Sequence, residues 1–274
     1  MNLHETSRRL MLLPPSSGRI PSFLKQVRMK TDWYHGMLHD MQRLRGQIYL
    51  EDGAIAASSL TADGRHHSDL DSSSWHLLVL DEQDRLCGCA RFHEHPVSAR
   101  SSMLNAARSA LARDPERKDA LFSALRAEVA LARSANIPFV ELGGWALGPE
   151  IRGTSEALRV SLATYAFWQM YGGAVSLTTA TRRHCASSIL RRIGGRSLVH
   201  DGIDLPAYYD PQYNCEMEIL KFYSWSPNPR YSIWIEEMKA ELREITVLAN
   251  HSCYQEKAVE QNEWLPLKAC AKTA

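Results

Sequence analysis

The chain lacks the features that mark membrane, secreted and nucleic-acid-binding proteins. No run approaches the roughly 18 consecutive apolar residues that a membrane span needs. The start, MNLHETSRRLMLLPP, holds too short an apolar stretch for a secretory signal. The 32 basic and 31 acidic residues nearly cancel, so the overall charge argues against a general nucleic-acid binder. We therefore expect a cytoplasmic protein with no transmembrane segment and no nucleic-acid partner.

Cysteine is too sparse, at six in 274 residues, for a dense disulfide framework. Free thiols in a reducing compartment are the expectation. Cys87 and Cys89, followed by His93 and His95, are residue types that bind zinc. Their spacing also fits a hairpin strand, in which both cysteines lie on one face as small apolar groups. We favour the strand interpretation and expect no metal.

The chain also lacks a Walker lysine pattern, although one turn is suited to phosphate. Arg152-Gly153-Thr154-Ser155 follows the predicted strand FVELGGWAL and opens an apolar helix. Glycine lets the backbone approach a ligand closely. A helix start directs unpaired N–H groups and a positive dipole end toward that ligand. Without the Walker lysine, this turn favours an acyl group carried on pantetheine over a nucleoside triphosphate.

The hydrophobic pattern predicts an α/β fold. Helices are predicted over residues 33–45, 101–114, 118–135, 155–171, 182–193 and 231–248, and strands over 47–50, 75–80, 85–92, 139–147, 213–222 and from Val175 onward. Mixed sheets with helices on both faces fit this order. We expect a partly flexible lead-in over 1–40, with residues 1–30 loosely held, a main domain over 41–225, and a C-terminal helix and tail over 226–274.

Several short motifs resemble those of one known superfamily. They are the segment Arg45-Gly46-Gln47-Ile48-Tyr49, the pair Asp69 and Asp71, the strand end Gly88-Cys89-Ala90-Arg91, and Glu141 in the strand before the glycine-bearing turn. Together they look like the Gcn5-related N-acyltransferase (GNAT) superfamily. More narrowly, they resemble its branch of acyl-homoserine-lactone synthases and long-chain N-acyl amino acid synthases. The resemblance runs from about Arg45 to Phe222.

Some positions separate the two members of that branch. Lactone synthases follow the glutamate with an Arg-aromatic pair, where this chain has Gly144 and Trp145. Ile55 replaces the tryptophan that usually follows the early aromatic segment, and the acidic pair is spaced one residue closer. TATRRHCASSILRRIGG and LPAYYDPQYNCEMEILKF resemble the N-acyl amino acid synthase type instead. The resemblance therefore favours an amino acid or related amine as acceptor over S-adenosylmethionine.

The resemblance implies a mixed, mostly antiparallel sheet with a splayed central strand flanked by helices. It also implies direct attack of an amine on a thioester, with the donor carried by acyl carrier protein or coenzyme A. The roles that it assigns are catalysis by Glu141 and Tyr209; substrate binding by Arg45, Asp69, Asp71, Arg91 and Trp145; and donor binding by Leu147, Arg152, Gly153, Thr154 and Ser155. Arg182 and Arg183 belong to a local basic set in an otherwise neutral chain, and we predict that they dock the carrier. Phosphate contact and a solvated helix face are the alternatives for this pair.

Each assignment has a structural alternative. Glu141 and Arg91 could form an ion pair, Asp69 and Asp71 could form a turn, and Trp145, Phe167 and Trp168 could be core residues instead of lining an acyl tunnel. Adjacent residues on a helix point about 100° apart, so His184-Cys185 is a poor nucleophile pair. The functional alternatives are a lactone synthase, an acetyl-CoA-dependent N-acetyltransferase and a non-catalytic ligand-binding module on the same fold.

Overall fold

The structure, a computed structural model, describes residues 7–256. Its helices are α1 (Thr31–Glu51), α2 (Lys118–Ser134), α3 (Glu156–Met170), α4 (Ala186–Arg192) and α5 (Ser232–Glu244). Its strands are β1 (Arg9–Leu13), β2 (Gly18–Ile20), β3 (Gln26–Met29), β4 (Trp75–Leu80), β5 (Leu86–His95), β6 (Phe139–Leu147), β7 (Val175–Thr181), β8 (Arg196–Ser197), β9 (Val199–His200), β10 (Ile203–Asp204), β11 (Tyr208–Asp210), β12 (Cys215–Tyr223), β13 (Thr246–Ala249) and β14 (Cys253–Gln255).

One large mixed sheet organises the molecule, in the order β11-β12-β7-β6-β5-β4-β1-β13-β3, with β8 also paired to β12. The pairs β6–β7, β1–β13 and β13–β3 are parallel and the others are antiparallel. Helices α3 and α5 pack on one face, whereas α1 and α2 pack on the other. The predicted mixed, mostly antiparallel sheet with helices on both faces is confirmed.

The first predicted strand, residues 47–50, is wrong because helix α1 continues to Glu51. Leu38, Met41, Arg45 and Ile48 are all buried, at intervals of three or four residues. That interval places them on one face of a helix and not of a strand. The early Arg45 motif therefore lies on a helix that packs across β5 and β6.

Residues 101–114 form three separate 3₁₀ turns instead of the predicted continuous helix. Two carboxylates intercept N–H groups in this segment. Glu141 accepts from the backbone of Asn105 and Ala106, and Asp210 accepts from that of Ala110. Side-chain acceptors that compete for backbone donors favour turns over a regular helix.

The two ends of the described chain meet in the central sheet. Residues 7–30, expected to be loosely held, supply β1 to β3, and Leu12 and Leu13 are fully buried. The predicted helix over 231–248 ends at Glu244, and β13 then inserts between β1 and β3. Strands from all three predicted segments thus share one sheet, while the boundaries at residues 40 and 225 stay a prediction. The tail beyond residue 256 lies outside the described residues.

Cys87 and Cys89 lie on opposite faces of the sheet, so the prediction of a shared face is wrong. The pairing of β4 with β5 shifts register between Val79 and Leu80, which breaks the alternation of side chains next to Cys87. Cys87 packs in the core under α3, whereas Cys89 packs in the core under α1. Both are buried apolar groups, as expected.

Candidate active site

The central strands β6 and β7 separate part of the way along their length. They pair at Phe139–Val175, Val140–Ser176 and Glu141–Leu177. Within residues 7–256, no pairing between the two strands follows the Glu141–Leu177 pair. Both strands nevertheless extend further, to Leu147 and Thr181. We call this wedge the splay; it is the gap that the resemblance predicts beside the central strand.

A bulge in β6 lies at the splay. The pairing of β5 with β6 shifts register between Cys89 and Arg91, opposite Gly144 and Trp145. Gly144 has a φ of +60°, which glycine adopts without strain. A Cβ at Gly144 would lie 3.0 Å from the Cβ of Arg91. Bulges release backbone groups from the ladder, so this part of β6 can present N–H groups to a ligand.

An apolar cavity lies beneath the splay, on the α3 side of the sheet. With its open mouth it encloses about 600 Å³. Its lining includes Leu142 and Trp145 of β6, Trp168 of α3, Phe222 of β12 and Ile193 after α4. Phe167, proposed to line the same tunnel, instead packs in the core against Trp75 and other aromatic rings.

A charged cluster occupies the opposite, α1 side of the sheet. Arg45 donates two hydrogen bonds to Asp71, at 2.9 Å and 2.6 Å, and each of the two side chains is only 1% exposed. Burial alone would raise the pKa of Asp71. The hydrogen bonds and positive charge of Arg45 outweigh it and hold that pKa well below its usual range. Asp71 is therefore a carboxylate that fixes its neighbours, among them Gln42 at 3.0 Å.

Arg91 connects this charged cluster to the splay. Its Nη1 lies 3.0 Å from Ser68 Oγ and 3.5 Å from Asp71 Oδ1. A Cβ built on Gly143 would lie 3.6 Å from Arg91 Nη2, so the guanidinium faces the open stretch of β6. Its pairing with Asp71 is long, and the guanidinium retains donors that can bind an incoming anion.

Glu141 lies on the same face as Arg91, at the point where the splay begins. Its carboxylate accepts from His95 Nε2 at 2.8 Å and from the backbone N–H of Asn105 at 2.8 Å. Arg91 is not its partner, so the alternative of an ion pair between the two is wrong. The ring of His93 packs edge-on against His95, 4.7 Å away. Burial and the neighbouring His95 lower the pKa of His93 to about 4.

The turn after β6 has the features predicted for a phosphate anchor. Gly153 has a φ of +74°. The side chain of Ser155, which precedes α3, makes no capping hydrogen bond, whereas Thr154 Oγ1 accepts from the N–H of Glu156 at 3.3 Å. Arg152 Nε donates to the carbonyl of Leu147 at 3.0 Å, and its Nη1 lies 3.3 Å from Asp52 Oδ1. Thr154 Oγ1 donates to the carbonyl of Ile151. The guanidinium and the start of α3 thus lie at the open end of the splay.

Asp52 ties together the two arms of the splay at its open end. Besides Arg152, which follows β6, it contacts residues that follow β7. Its Oδ1 lies 3.4 Å from His184 Nε2, and its carbonyl accepts from Arg183 Nη1. His184 and Cys185 both adopt left-handed backbone conformations, with φ of 54° and 59°. Such conformations are strained outside glycine and concentrate at functional sites.

Arg182 and Arg183, predicted to dock a carrier, have carboxylate and carbonyl partners. Arg182 contacts Glu218 and Glu216 at 2.8 Å each. Burial would raise the pKa of Glu218, but hydrogen bonds from Arg191 and Arg182 outweigh it and lower that pKa. Glu218 is buried between these arginines.

Two predicted site residues lie apart from this arrangement. Asp69 is exposed, in the turn before the 3₁₀ segment that carries Asp71. Tyr209 is 57% exposed on the edge strand β11, and its Oη lies 2.5 Å from Asn214 Oδ1. The structure does bring together Arg45, Asp71, Arg91 and Glu141 on one face, and Leu147 with Arg152–Ser155 at the open end.

The sequence interpretation missed two residues of this region, Asp52 and His66. The carbonyl of His66 accepts from Arg45 at 2.5 Å, and burial and the charge of Arg45 lower the pKa of its imidazole. Its Nδ1 has no hydrogen-bond partner among residues 7–256. The sequence signal that could have identified His66 was its proximity to Asp71 along the chain. For Asp52, whose partner lies 100 residues away, no local signal exists.

Two other types of feature are absent from the part of the chain described. Residues 7–256 contain no group of three or more histidine, cysteine or acidic residues arranged to hold a metal ion. None of the helices in that range is both long and apolar enough to cross a membrane.

The splayed sheet defines the class of fold, which is GNAT-like. The structure resembles the CoA-dependent acyl-homoserine lactone synthase BjaI with SAM and isopentyl-CoA, with a TM-score of 0.51 and 14% identity over 92% of this chain and 95% of that chain. The structure of BjaI with MTA matches with a TM-score of 0.51 and 15% identity, over 92% of this chain and 95% of that chain. FeeM, an N-acyl amino acid synthase from uncultured soil microbes, matches with a TM-score of 0.46 and 10% identity, over 79% of this chain and 91% of that chain. The likeness to BjaI shows a shared fold. No family model and no curated protein sequence matches the chain.

Proposed function

We propose that this protein is an N-acyltransferase. It moves a medium or long acyl group from a phosphopantetheine thioester to the amine of an amino acid or related small molecule. The observation that carries the proposal is the splay, which has an apolar cavity on one side of the sheet and Arg91 with the charged cluster on the other. A thioester lying in the splay has room for its acyl chain beneath the sheet, while a charged acceptor approaches from above.

The donor enters at the open end of the splay. Arg152 and the start of α3 bind its phosphate, supported by the turn Gly153–Ser155. The pantetheine arm then runs along β6 toward Gly143, where released backbone N–H groups meet its polar atoms. The acyl chain fills the cavity lined by Leu142 and Trp168.

The acceptor binds on the α1 side. Arg91 binds its carboxylate, because a guanidinium matches a carboxylate in charge and in its two-pronged geometry. Asp71 and Arg45 are positioning residues: Asp71 contacts both guanidinium groups and is itself fixed by the buried pair with Arg45. The amine of the acceptor is then directed at the thioester carbonyl beside Gly143.

Acyl transfer follows by direct attack. The amine nitrogen forms a C–N bond to the carbonyl carbon, and the C–S bond breaks. Backbone N–H groups at the bulge, Gly143–Trp145, stabilise the oxyanion. Glu141, paired with His95, takes a proton from the amine, directly or through water. The departing thiolate takes up the proton that Glu141 accepted, directly or through water. Tyr209, predicted as this donor, is exposed on the edge strand β11.

Product analysis with the full-length purified protein tests the function. Acyl-CoA and acyl-carrier-protein donors of several chain lengths are mixed with the proteinogenic amino acids, and products are identified by mass spectrometry. We expect N-acyl amino acids. Homoserine lactones formed with S-adenosylmethionine would favour the lactone-synthase alternative, and products from acetyl-CoA alone would favour plain acetyl transfer. Ligand binding with no product from any mixture would contradict the enzyme proposal.

The carrier protein as donor is tested at Arg182 and Arg183. Reversing both charges with Arg182→Glu and Arg183→Glu should raise the KM for the carrier-bound donor and leave the KM for free acyl-CoA unchanged. The expectation rests on attraction between these arginines and an acidic carrier surface. If only the acyl-CoA kinetics change, the pair serves coenzyme A, and carrier docking at this site is wrong.

A further inference from the structure

We infer that the acyl chain taken by this cavity carries an uncharged oxygen, a keto or hydroxyl group, which Tyr165 and Trp168 recognise. This inference rests on the proposed function and makes its donor more specific. It comes from two buried hydrogen-bond donors that the apolar cavity leaves without partners.

Tyr165 and Trp168 lie three residues apart on α3, so both reach the same side of that helix. Both line the cavity. Tyr165 is 4% exposed and Trp168 is 1% exposed. Tyr165 Oη and Trp168 Nε1 have no hydrogen-bond partner among residues 7–256. Nearly all buried polar side-chain atoms in proteins have one, so two such atoms on side chains that line one cavity call for a ligand. Tyr165 Oη lies against Gly194, the residue after Ile193 of the lining.

Two hydroxyls of the cavity wall on the same helix already have partners. Ser161 Oγ donates to the carbonyl of Ala157 at 2.8 Å, and Thr164 Oγ1 donates to that of Val160 at 3.2 Å. These hydroxyls are satisfied by their own helix. The unmatched donors are therefore a property of two particular side chains and not of the whole wall.

The two donors lie at the inner end of the cavity, away from the donor's entrance. Helix α3 starts next to the phosphate turn at the open end and runs back toward the closed end. The ring of Tyr165 contacts Phe222, with centroids 6.2 Å apart. Phe222 pairs with Ser176, which in turn pairs with Val140, where β6 and β7 are still joined. Only the acyl group of a donor reaches that far.

Trp145 Nε1 is also without a partner in the described chain, but it lies on the open stretch of β6. The pantetheine arm passes there, and its amide carbonyls are sufficient acceptors. Trp145 therefore says nothing about the acyl chain. Tyr165 and Trp168 do, because a plain hydrocarbon brings no acceptor to either.

The chemistry of the two side chains limits the group that they can bind. An indole N–H only donates, so the ligand atom must be an acceptor, and a phenol can donate or accept. Burial raises the pKa of Tyr165, so its phenol remains neutral. Arg91 is the only charged residue in the described lining, and it belongs to the splay. Arg196 on β8 carries the positive charge nearest in effect to Tyr165, but it lies outside the lining. A carboxylate at the inner end would therefore have no cation within the cavity wall, whereas a keto or hydroxyl oxygen fits.

The experiment compares matched acyl donors. A saturated acyl thioester is set against keto and hydroxy counterparts of equal length, with the oxygen placed at successive carbons. We expect kcat/KM to be at least about tenfold higher for one oxygenated donor than for the saturated one, because sites built around hydrogen bonds discriminate against analogues that lack them. Tyr165→Phe and Trp168→Phe should each reduce that ratio by about threefold or more.

Tyr171→Phe is the matched control. It removes a phenol from the end of the same helix, but this phenol bonds Arg19 and Glu94 outside the cavity. It should leave the ratio unchanged. A ratio near one in the native protein, or a ratio that survives both cavity variants, would overturn the inference.

Binding separates this inference from the proposed function. Thioether analogues of the same donors cannot transfer their acyl group, and calorimetry gives their dissociation constants. A preference for oxygenated analogues that Trp168→Phe weakens would support recognition even if no amide forms from any donor. Equal dissociation constants for all analogues would contradict it, whatever the outcome of the product analysis.

Discussion

Asp71 and Arg45 form a bidentate ion pair that is almost completely buried between α1 and the sheet. The same carboxylate accepts the backbone N–H of Ser68 at 3.0 Å and reaches Arg91 at 3.5 Å. One anion thus fixes a helix, a loop and the arginine that faces the splay. Removing one partner of a buried pair leaves the other charge uncompensated, which costs more than the pair itself contributes.

Asp71→Asn should therefore lower the free energy of unfolding by about 3 kcal/mol, since a buried Arg45 would lose its counter-charge. Urea denaturation of the variant and the native protein measures the difference. Asp63→Asn is the control, because Asp63 pairs with Arg43 and Arg65 at the surface. Equal midpoints for Asp71→Asn and the native protein would show that the buried pair is not needed for stability.

Glu141→Gln should reduce kcat by at least about tenfold, because an amide cannot take a proton from the acceptor amine. One carbonyl oxygen remains to accept from Asn105, so the fold should survive. Glu128→Gln is the matched control. Glu128 is also a buried glutamate; it lies on α2 and accepts hydrogen bonds from Lys221 and Tyr223 of β12. Native-like turnover in the Glu141 variant would remove that carboxylate from the mechanism.

Asp52→Asn should lower the KM for the donor by about threefold, as expected when the competing carboxylate is removed from a phosphate anchor. Arg152→Gln should raise the same KM. Steady-state kinetics at constant ionic strength measure both. Asp40→Asn serves as control, because Asp40 lies on α1, the helix that precedes Asp52, and pairs with Arg43 at the surface. A higher KM in the Asp52 variant would instead mean that the carboxylate supports the donor site.

Stability should fall as the pH is lowered from about 6.5 toward 4, the range set by two buried histidines. Burial lowers the pKa of His76 to about 4, and burial with His95 does the same for His93. An unfolded histidine titrates near 6.5. Between these values the unfolded chain binds more protons than the folded chain. Each histidine therefore removes roughly 1.4 kcal/mol of stability per pH unit across that range.

Urea denaturation at pH 7, 6, 5 and 4.5 gives this slope. His93→Gln keeps a polar group near Ser74 and should make the slope shallower by one histidine's contribution. His67→Gln, at an exposed position, should not change it. Identical slopes for the native protein and the His93 variant would contradict the assignment.

Local patterns in the sequence predicted the middle of the fold, where structure follows from nearby residues. The hairpin of β4 and β5, helix α2 and the succession β6-α3-β7 are all confirmed. The resemblance also led to Arg45, Asp71 and Arg91, which the structure brings together. Their partners lie 20 and 26 residues away along the chain, so the resemblance and not a local pattern identified them.

The features that sequence reasoning missed depend on distant partners. The helical course of residues 47–50 follows from packing on β5 and β6, and the 3₁₀ turns at 101–114 follow from acceptors as distant as Asp210. Strand β13 forms because it pairs with the free edges of β1 and β3, which lie more than 200 residues earlier in the chain. The unmatched donors of Tyr165 and Trp168 depend on what surrounds them in space, which no window of sequence contains.

The position of β13 bears on how the protein is made. Thr246–Ala249 pairs with β1 on one side and with β3 on the other. Strands β1 and β3 therefore lack their shared neighbour until residue 249 has been synthesised. During synthesis the edges of β1 and β3 are exposed to solvent and to other chains. Nascent molecules thus pass through a stage that favours association between copies, until Thr246–Ala249 pairs with both strands.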